Sequence, residues 1–186
     1  VAGNKAVTSL DPGTGKQLWV VDGPSEDCVA TPTFSEQAGL VLSCSSWPDR
    51  ILLAIQPDGQ GNVTRSKVVW RTPTGAPYVP SPISVGNWFL TSSYADKAVY
   101  CYEAATGKIL WKEPMGLHHA SPVTANGLVY FLNDEGVMNV LKAGSQFERV
   151  ARNELGEKTY ASPAISGGQI FLRSFEQLYC IGRPAS

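Results

Sequence analysis

Charge, histidine and long apolar runs are all scarce in this chain of 186 residues. Charged residues make up 17%, the formal net charge is −1, and there are only two histidines. No run of lysines or arginines occurs. That excludes the cationic stripe needed to neutralise nucleic-acid phosphates. Apolar stretches such as "LVYFL", Leu128 to Leu132, fall far short of the roughly 20 residues of a membrane-spanning helix. The four cysteines include no adjacent pair and no Cys-x-x-Cys. A structural zinc site therefore has no framework. No Gly-x-Ser-x-Gly occurs, and no acid is paired by spacing with His118 or His119. The sequence thus offers no nucleophile–base constellation. The sequence shows no signal peptide, but it starts at Val1 within a strand-like phrase. This start is read as a trimmed or processed end.

Turn residues, by contrast, are plentiful: 18 glycines and 13 prolines, spread evenly. One turn-like phrase, "LDPGTGKQLW" (Leu10 to Trp19), returns as "YEAATGKILW" (Tyr102 to Trp111). Its Gly-Lys pair invites a phosphate-loop reading. That loop needs a glycine five residues before the Gly-Lys and a hydroxyl after it. Leu10 stands at the first place and Gln17 at the second; the other copy has Ile109 after Lys108. The phrase also leads into the strand-like "LWVV" rather than into a helix start. It is a tight turn before a strand.

Two independent markers set the period. Ser/Thr-Pro dipeptides end "CVATP", "YVPSP", "HHASP" and "TYASP", with steps of 50, 40 and 41 residues between their prolines. Trp19, Trp70 and Trp111 lie 51 and 41 residues apart. Within one unit, "HHASPVTA", "LVYFL", "VMNVLK" and "FERVARNEL" are separated by turn signals such as Asn126-Gly127. Asn-Gly between apolar runs is a strong hairpin signal. Each unit therefore predicts a four-stranded antiparallel meander of about 40 residues, the pattern of a β-propeller blade. Such a sheet cannot bury both faces alone, so neighbours must stack on it.

The expected fold is all-β, a β-propeller in one region spanning residues 1–186. Three whole units cover residues 23–73, 74–115 and 116–156, with partial units at 1–22 and 157–186. That count predicts a portion of a larger propeller. The alternative is a smaller ring in which the first strands complete the last blade. An open arc would expose apolar faces and pair with a missing remainder or with another copy.

"LDPGTGKQLW", "YEAATGKILW" and the "SPVTANGLVYF" phrase resemble the repeat of the pyrroloquinoline-quinone (PQQ)-like propeller family. The resemblance covers essentially the whole chain. The phrase is worn to "IQPDGQGNVTRSKVVW" in the second unit, where residues are inserted before Trp70, and to "LKAGSQFERV" in the third. No Trp-Asp dipeptide occurs, against the WD40 pattern, and only one Gly-Gly doublet, against kelch. The resemblance implies that Trp19, Trp70 and Trp111 wedge between neighbouring blades. It also implies a location outside the cytoplasm, periplasmic or secreted. The family's quinone-dependent dehydrogenases carry adjacent cysteines over the cofactor, an acidic calcium site and a catalytic aspartate. This chain lacks the adjacent cysteines, so neither PQQ nor calcium is expected.

In a propeller the innermost strand lines the channel. The residues just before each Ser/Thr-Pro would ring one mouth: Cys28-Val29, Tyr78-Val79, His118-His119 and Thr159-Tyr160. The binding candidates are Cys28, Tyr78, His118, His119, Thr159 and Tyr160; the alternative for all six is ordinary blade packing. On a strand the two histidines would face opposite sides and could not chelate one ion as a simple pair. Trp47 and Trp88 are further aromatic candidates. Cys28 and Cys44 fall on neighbouring strands and could bridge, or all four cysteines are small buried hydrophobes. Asn62-Val63-Thr64 matches a glycosylation sequon, or is simply loop. The functional expectation is a non-enzymatic scaffold that binds another protein through its loops and channel mouth. This is the role of the outer-membrane assembly lipoproteins that the repeat resembles. The alternative is small-molecule, glycan or metal binding, or an enzyme activity, at the same mouth.

Overall fold

The computed structural model describes residues 1–3 and 5–182. The first sheet holds β1 (Ala2–Gly3), β2 (Ala6–Leu10) and β3 (Gln17–Asp22). The second holds β4 (Thr33–Ser35), β5 (Leu40–Ser45) and β6 (Ile51–Ile55). An insertion then forms β7 (Gly61–Asn62) and a single helical turn, α1 (Thr64–Lys67), before β8 (Val68–Thr72) completes that sheet. The third sheet runs β9 (Ile83–Val85), β10 (Trp88–Ser93), β11 (Ala98–Glu103) and β12 (Ile109–Pro114). The fourth runs β13 (Val123–Ala125), β14 (Leu128–Leu132), β15 (Val137–Lys142) and β16 (Glu148–Glu154). The last holds β17 (Ala164–Ser166), β18 (Gln169–Arg173) and β19 (Leu178–Ile181). Consecutive strands pair antiparallel within each sheet. The architecture is an all-β propeller of four-stranded antiparallel blades.

The innermost strands are shorter than the sequence pattern suggests. Each of β4, β9, β13 and β17 has three residues and starts just after its proline. Proline has no N–H to give a ladder and restricts the residue before it. The Ser/Thr before the proline therefore bonds across to the next sheet. Thr31 N–H donates to Ser81 Oγ (2.9 Å), Ser81 N–H to Ser121 Oγ (3.0 Å) and Ser121 N–H to Ser162 Oγ (2.9 Å). The dipeptide that marks the period is thus the rung of a ladder between units.

The repeated Thr-Gly-Lys turn works the same way in both copies. Asp11 Oδ1 accepts from Gly13 N–H and from Thr14 N–H and Oγ1. These bonds hold the Asp11 carboxyl below its usual range, the Thr14 hydroxyl first among them. In the second copy Thr106 Oγ1 donates to Glu103. Each threonine oxygen also accepts the N–H of the lysine two residues on. Gly15 and Gly107 have φ of 70° and 72°, the left-handed conformation that glycine adopts freely. Lys16 and Lys108 are exposed.

Four apolar seams hold the stack together, each with one face of a sheet against the opposite face of the next; a tryptophan sits in the first three. Val7, Trp19 and Val21 meet Leu53, Ile55 and Val63. Leu42, Ala54 and Trp70 meet Phe89, Tyr100 and Tyr102. Leu90, Cys101 and Trp111 meet Val129, Phe131 and Leu141. Val140 and Tyr130 meet Leu172 and Tyr179. Trp70 donates its indole N–H to Ala104 O (2.8 Å), and Trp111 donates to Gly144 O (3.0 Å). A Cβ on Gly107 would lie 2.6 Å from Trp70 Cδ2. The second copy of the turn is thus the seat of the previous sheet's indole. At Gly15 the same space is open.

The insertion before Trp70 does more than lengthen a turn. β7 crosses to the first sheet and pairs parallel with β3, Trp19 opposite Gly61 and Val20 opposite Asn62. Asn62 Nδ2 donates to Asp22 Oδ2 (2.6 Å), and Thr64 Oγ1 accepts Asp22 N–H (2.8 Å). The Asn-Val-Thr triplet is a clasp between two sheets.

The last sheet's own tryptophan-equivalent face is uncovered. Leu178 is 72% exposed, and Cys180 is exposed while Cys101, in the same slot two sheets earlier, is fully buried. On the first sheet Leu10 and Leu18 are exposed. All four cysteines are free, so Cys28 and Cys44 are not bridged.

Candidate functional site

An antiparallel meander brings the start of its first strand and the end of its second strand to the same end of the sheet. The loop before each Ser/Thr-Pro and the hairpin between second and third strands therefore share one face. The Thr-Gly-Lys turns lie at the other.

The six residues of the expected ring divide. They lie in the loops before β4, β9, β13 and β17 rather than on those strands. Tyr78, His119 and Tyr160 reach the surface. His118 and Thr159 are buried. Thr159 packs as a structural hydroxyl, donating to Arg173 O (2.5 Å) and accepting Ala161 N–H. Cys28 is half-buried with its thiol toward Ser25 O (3.6 Å). Burial, with the Asp27 charge added, pushes that thiol's pKa up, away from the reactive thiolate.

The exposed members join residues from the hairpins into one aromatic arc. Tyr78 meets Tyr94 edge-on at 6.2 Å between ring centres, and Tyr94 meets His119 at 6.1 Å. His119 lies against Tyr160 at 4.3 Å, and Tyr160 against Phe175 at 5.1 Å. Tyr94 and Phe175 were missed by sequence reasoning. Their signal was positional: with Asp134 they fill one slot, just past the end of the second strand, in "SSYAD", "LNDEG" and "RSFEQ". Of the two further aromatic candidates, Trp47 is 62% exposed beside the arc. Trp88 is instead half-buried against the Leu90–Trp111 seam.

Asp134 is the acid that spacing did not reveal. Its Oδ1 accepts His119 N–H (2.9 Å), and its Oδ2 lies 2.8 Å from His119 Nδ1. A carboxylate so placed holds the imidazole through Nδ1 and orients the ring within the arc. The Asp134 carboxylate thus orients the His119 ring at the mouth. His118 points the other way, edge-on to Phe131 at 5.9 Å. It is 2% exposed, and among the described residues neither ring nitrogen has a hydrogen-bond partner. Burial holds its pKa down at about 4, against the opposing pull of Asp134. Among the described residues no three His, Cys, Asp or Glu side chains converge to hold a metal ion.

Beside the arc lies a cleft of about 310 Å³, lined by Ser46, Trp47, Arg50, Ala76, Tyr78 and Tyr94 among others. Its outer wall is held from behind. Trp47 O accepts Ser25 Oγ–H (2.7 Å) and Asp27 N–H (3.0 Å), and Asp49 O also accepts from Ser25 Oγ (2.8 Å).

Comparison with known proteins agrees with this architecture. The structure is similar to BamB from Moraxella catarrhalis, with a TM-score of 0.76 at 12% identity over 97% of this chain and 55% of that one. It is similar to the computationally designed Ika8 protein, with a TM-score of 0.71 at 12% identity over 98% and 54%. For the computationally designed Ika4 protein the TM-score is 0.66 at 12% identity, over 91% and 99%. The chain thus spans about half the length of the first two. No curated protein sequence matches it. No helix among the described residues is long and apolar enough to cross a membrane. The family model described as outer membrane protein assembly factor BamB matches residues 3–184, and the chain belongs to that family of PQQ-like propellers.

Proposed function

We propose that the chain is part of a non-enzymatic scaffold that binds another protein through the loops at the arc-bearing mouth. The observation that carries this reading is the continuous surface of Tyr78, Tyr94, His119, Tyr160 and Phe175, built by three successive units. Tyrosine and other aromatics give interfaces large contact area at low entropic cost, and a multi-loop face suits a protein partner. Membership of a family described as an outer membrane protein assembly factor supports the same role and a periplasmic location. No catalytic step and neither PQQ nor calcium enters this reading.

The test is site-directed photo-crosslinking in cell envelopes. A crosslinking residue at Tyr94 or Tyr160 is expected to capture a discrete partner protein. The same residue at Lys108, on the opposite end, is expected to capture none. Capture from Lys108 alone, or from no position, overturns the proposal.

A further inference from the structure

The cleft beside the arc has a composition distinct from the rest of the face. Its walls are the rings of Trp47, Tyr78 and Tyr94, with the small residues Ala76 and Ala95 and the Ser46 hydroxyl between them. That hydroxyl is spent, donating to Pro77 O. Among the described residues Arg50 is its only charged lining residue. Arg50 is exposed and forms no salt bridge among the described residues. It also lines the two adjoining clefts, so its guanidinium commands the rim on both sides.

Size and chemistry narrow the occupant. At about 310 Å³ the space lies at the bottom of the range for small-molecule sites. It suits one large side chain better than a cofactor or a sugar chain. Tryptophan, tyrosine and arginine in a pocket are the composition of an interface hot spot. The Trp47 loop is anchored through two backbone carbonyls, so the backbone that carries the indole is preorganised and less ordering is left for binding.

The geometry points to an anchor site in which Trp47, Tyr78 and Tyr94 take an aromatic side chain of a partner's peptide segment, while Arg50 pairs with a carboxylate next to it in that segment. The inference rests on the scaffold reading and adds the chemistry of what is recognised. A guanidinium binds a carboxylate through two parallel N–H···O bonds. That fixes the segment's register as well as its charge.

The experiment is titration calorimetry on the full protein. The probe is a capped pentapeptide of one phenylalanine between two aspartates, with glycine at each end. Binding is expected, and it is expected to vanish when the phenylalanine is replaced by alanine. It should weaken about tenfold when both aspartates become asparagines. Trp47→Ala should abolish it, and Arg50→Gln should weaken it about tenfold for the aspartate peptide only. Both positions are exposed, so both variants should melt with the wild type. Equal binding of the asparagine peptide, equal binding by Arg50→Gln, or no binding overturns the inference. So does a neutral oligosaccharide, or free phenylalanine, that binds as well as the peptide. If crosslinking from Tyr94 and Tyr160 persists undiminished in Trp47→Ala and Arg50→Gln, the cleft is not the anchor and the scaffold reading survives. If crosslinking is absent from the unaltered protein, the scaffold reading fails first.

Discussion

His118 and His119 are adjacent in sequence and opposite in environment. His119 has its carboxylate and faces the arc; His118 is buried against Phe131 with both nitrogens unpaired among the described residues. The sign of the pH effect is set by the buried one. Unfolding returns its pKa from about 4 to 6.5. Between those values the unfolded chain takes a proton that the folded chain refuses, so stability falls as pH falls through the window. Below about 4 the loss is complete, at roughly 3 kcal/mol for a shift of this size. Urea unfolding from pH 7 to pH 4 should show this acid loss. His118→Leu should remove most of it, with little change at pH 7. An unchanged acid limb in the variant would place the titrating group elsewhere.

At the scale of elements, the seams carry the stability. Trp111 is buried between the third and fourth sheets and stacks edge-on with Phe147 at 5.3 Å. Trp111→Ala is expected to cost about 3–5 kcal/mol and to lower the melting temperature sharply. The seat can be tested from the other side. Gly107→Ala meets both the left-handed backbone and the Trp70 ring, while Gly15→Ala meets the backbone alone. Gly107→Ala should therefore lower the melting temperature clearly more than Gly15→Ala. Equal shifts would mean that the indole does not rest on the turn. Much of this was legible in the sequence. The spacing of Trp and Ser/Thr-Pro set the period, and the repeated Gly-Lys phrase was legible as a tight turn before a strand. The partners were not legible, because Trp70 and Ala104, or Ser81 and Ser121, meet only once the sheets stack. The insertion was invisible as a strand because two residues, Gly61 and Asn62, have no pattern to detect. For the same reason the mouth was half legible. Tyr78 and Tyr160 stood out beside the prolines, but Tyr94, Phe175 and Asp134 sit in hairpins whose role depends on the neighbouring unit.

For the whole molecule, the uncovered face of the last sheet sets the chemistry of one thiol apart. Cys101 lies in a seam, and burial pushes its pKa up to about 12. Cys44 is equally buried and likewise raised to about 12, by burial first and by Cys28 second. Cys180 is open to solvent. In the native 186-residue chain an alkylating reagent should modify Cys180 readily, and Cys44 and Cys101 only after unfolding, as read by peptide mass analysis. Protection of Cys180 would show that its face is covered in solution.

The second and third seams also have a direction. One face of a sheet brings an indole, and the opposite face of the next brings the turn whose carbonyl receives it, Ala104 for Trp70 and Gly144 for Trp111. The rungs of hydroxyls run the same way, from Thr31 to Ser81 to Ser121 to Ser162. The stack therefore has a direction, like a row of nested cups. A further sheet fits either end only if it points the same way; one set back to front would press ring against ring and leave each N–H without its hydroxyl.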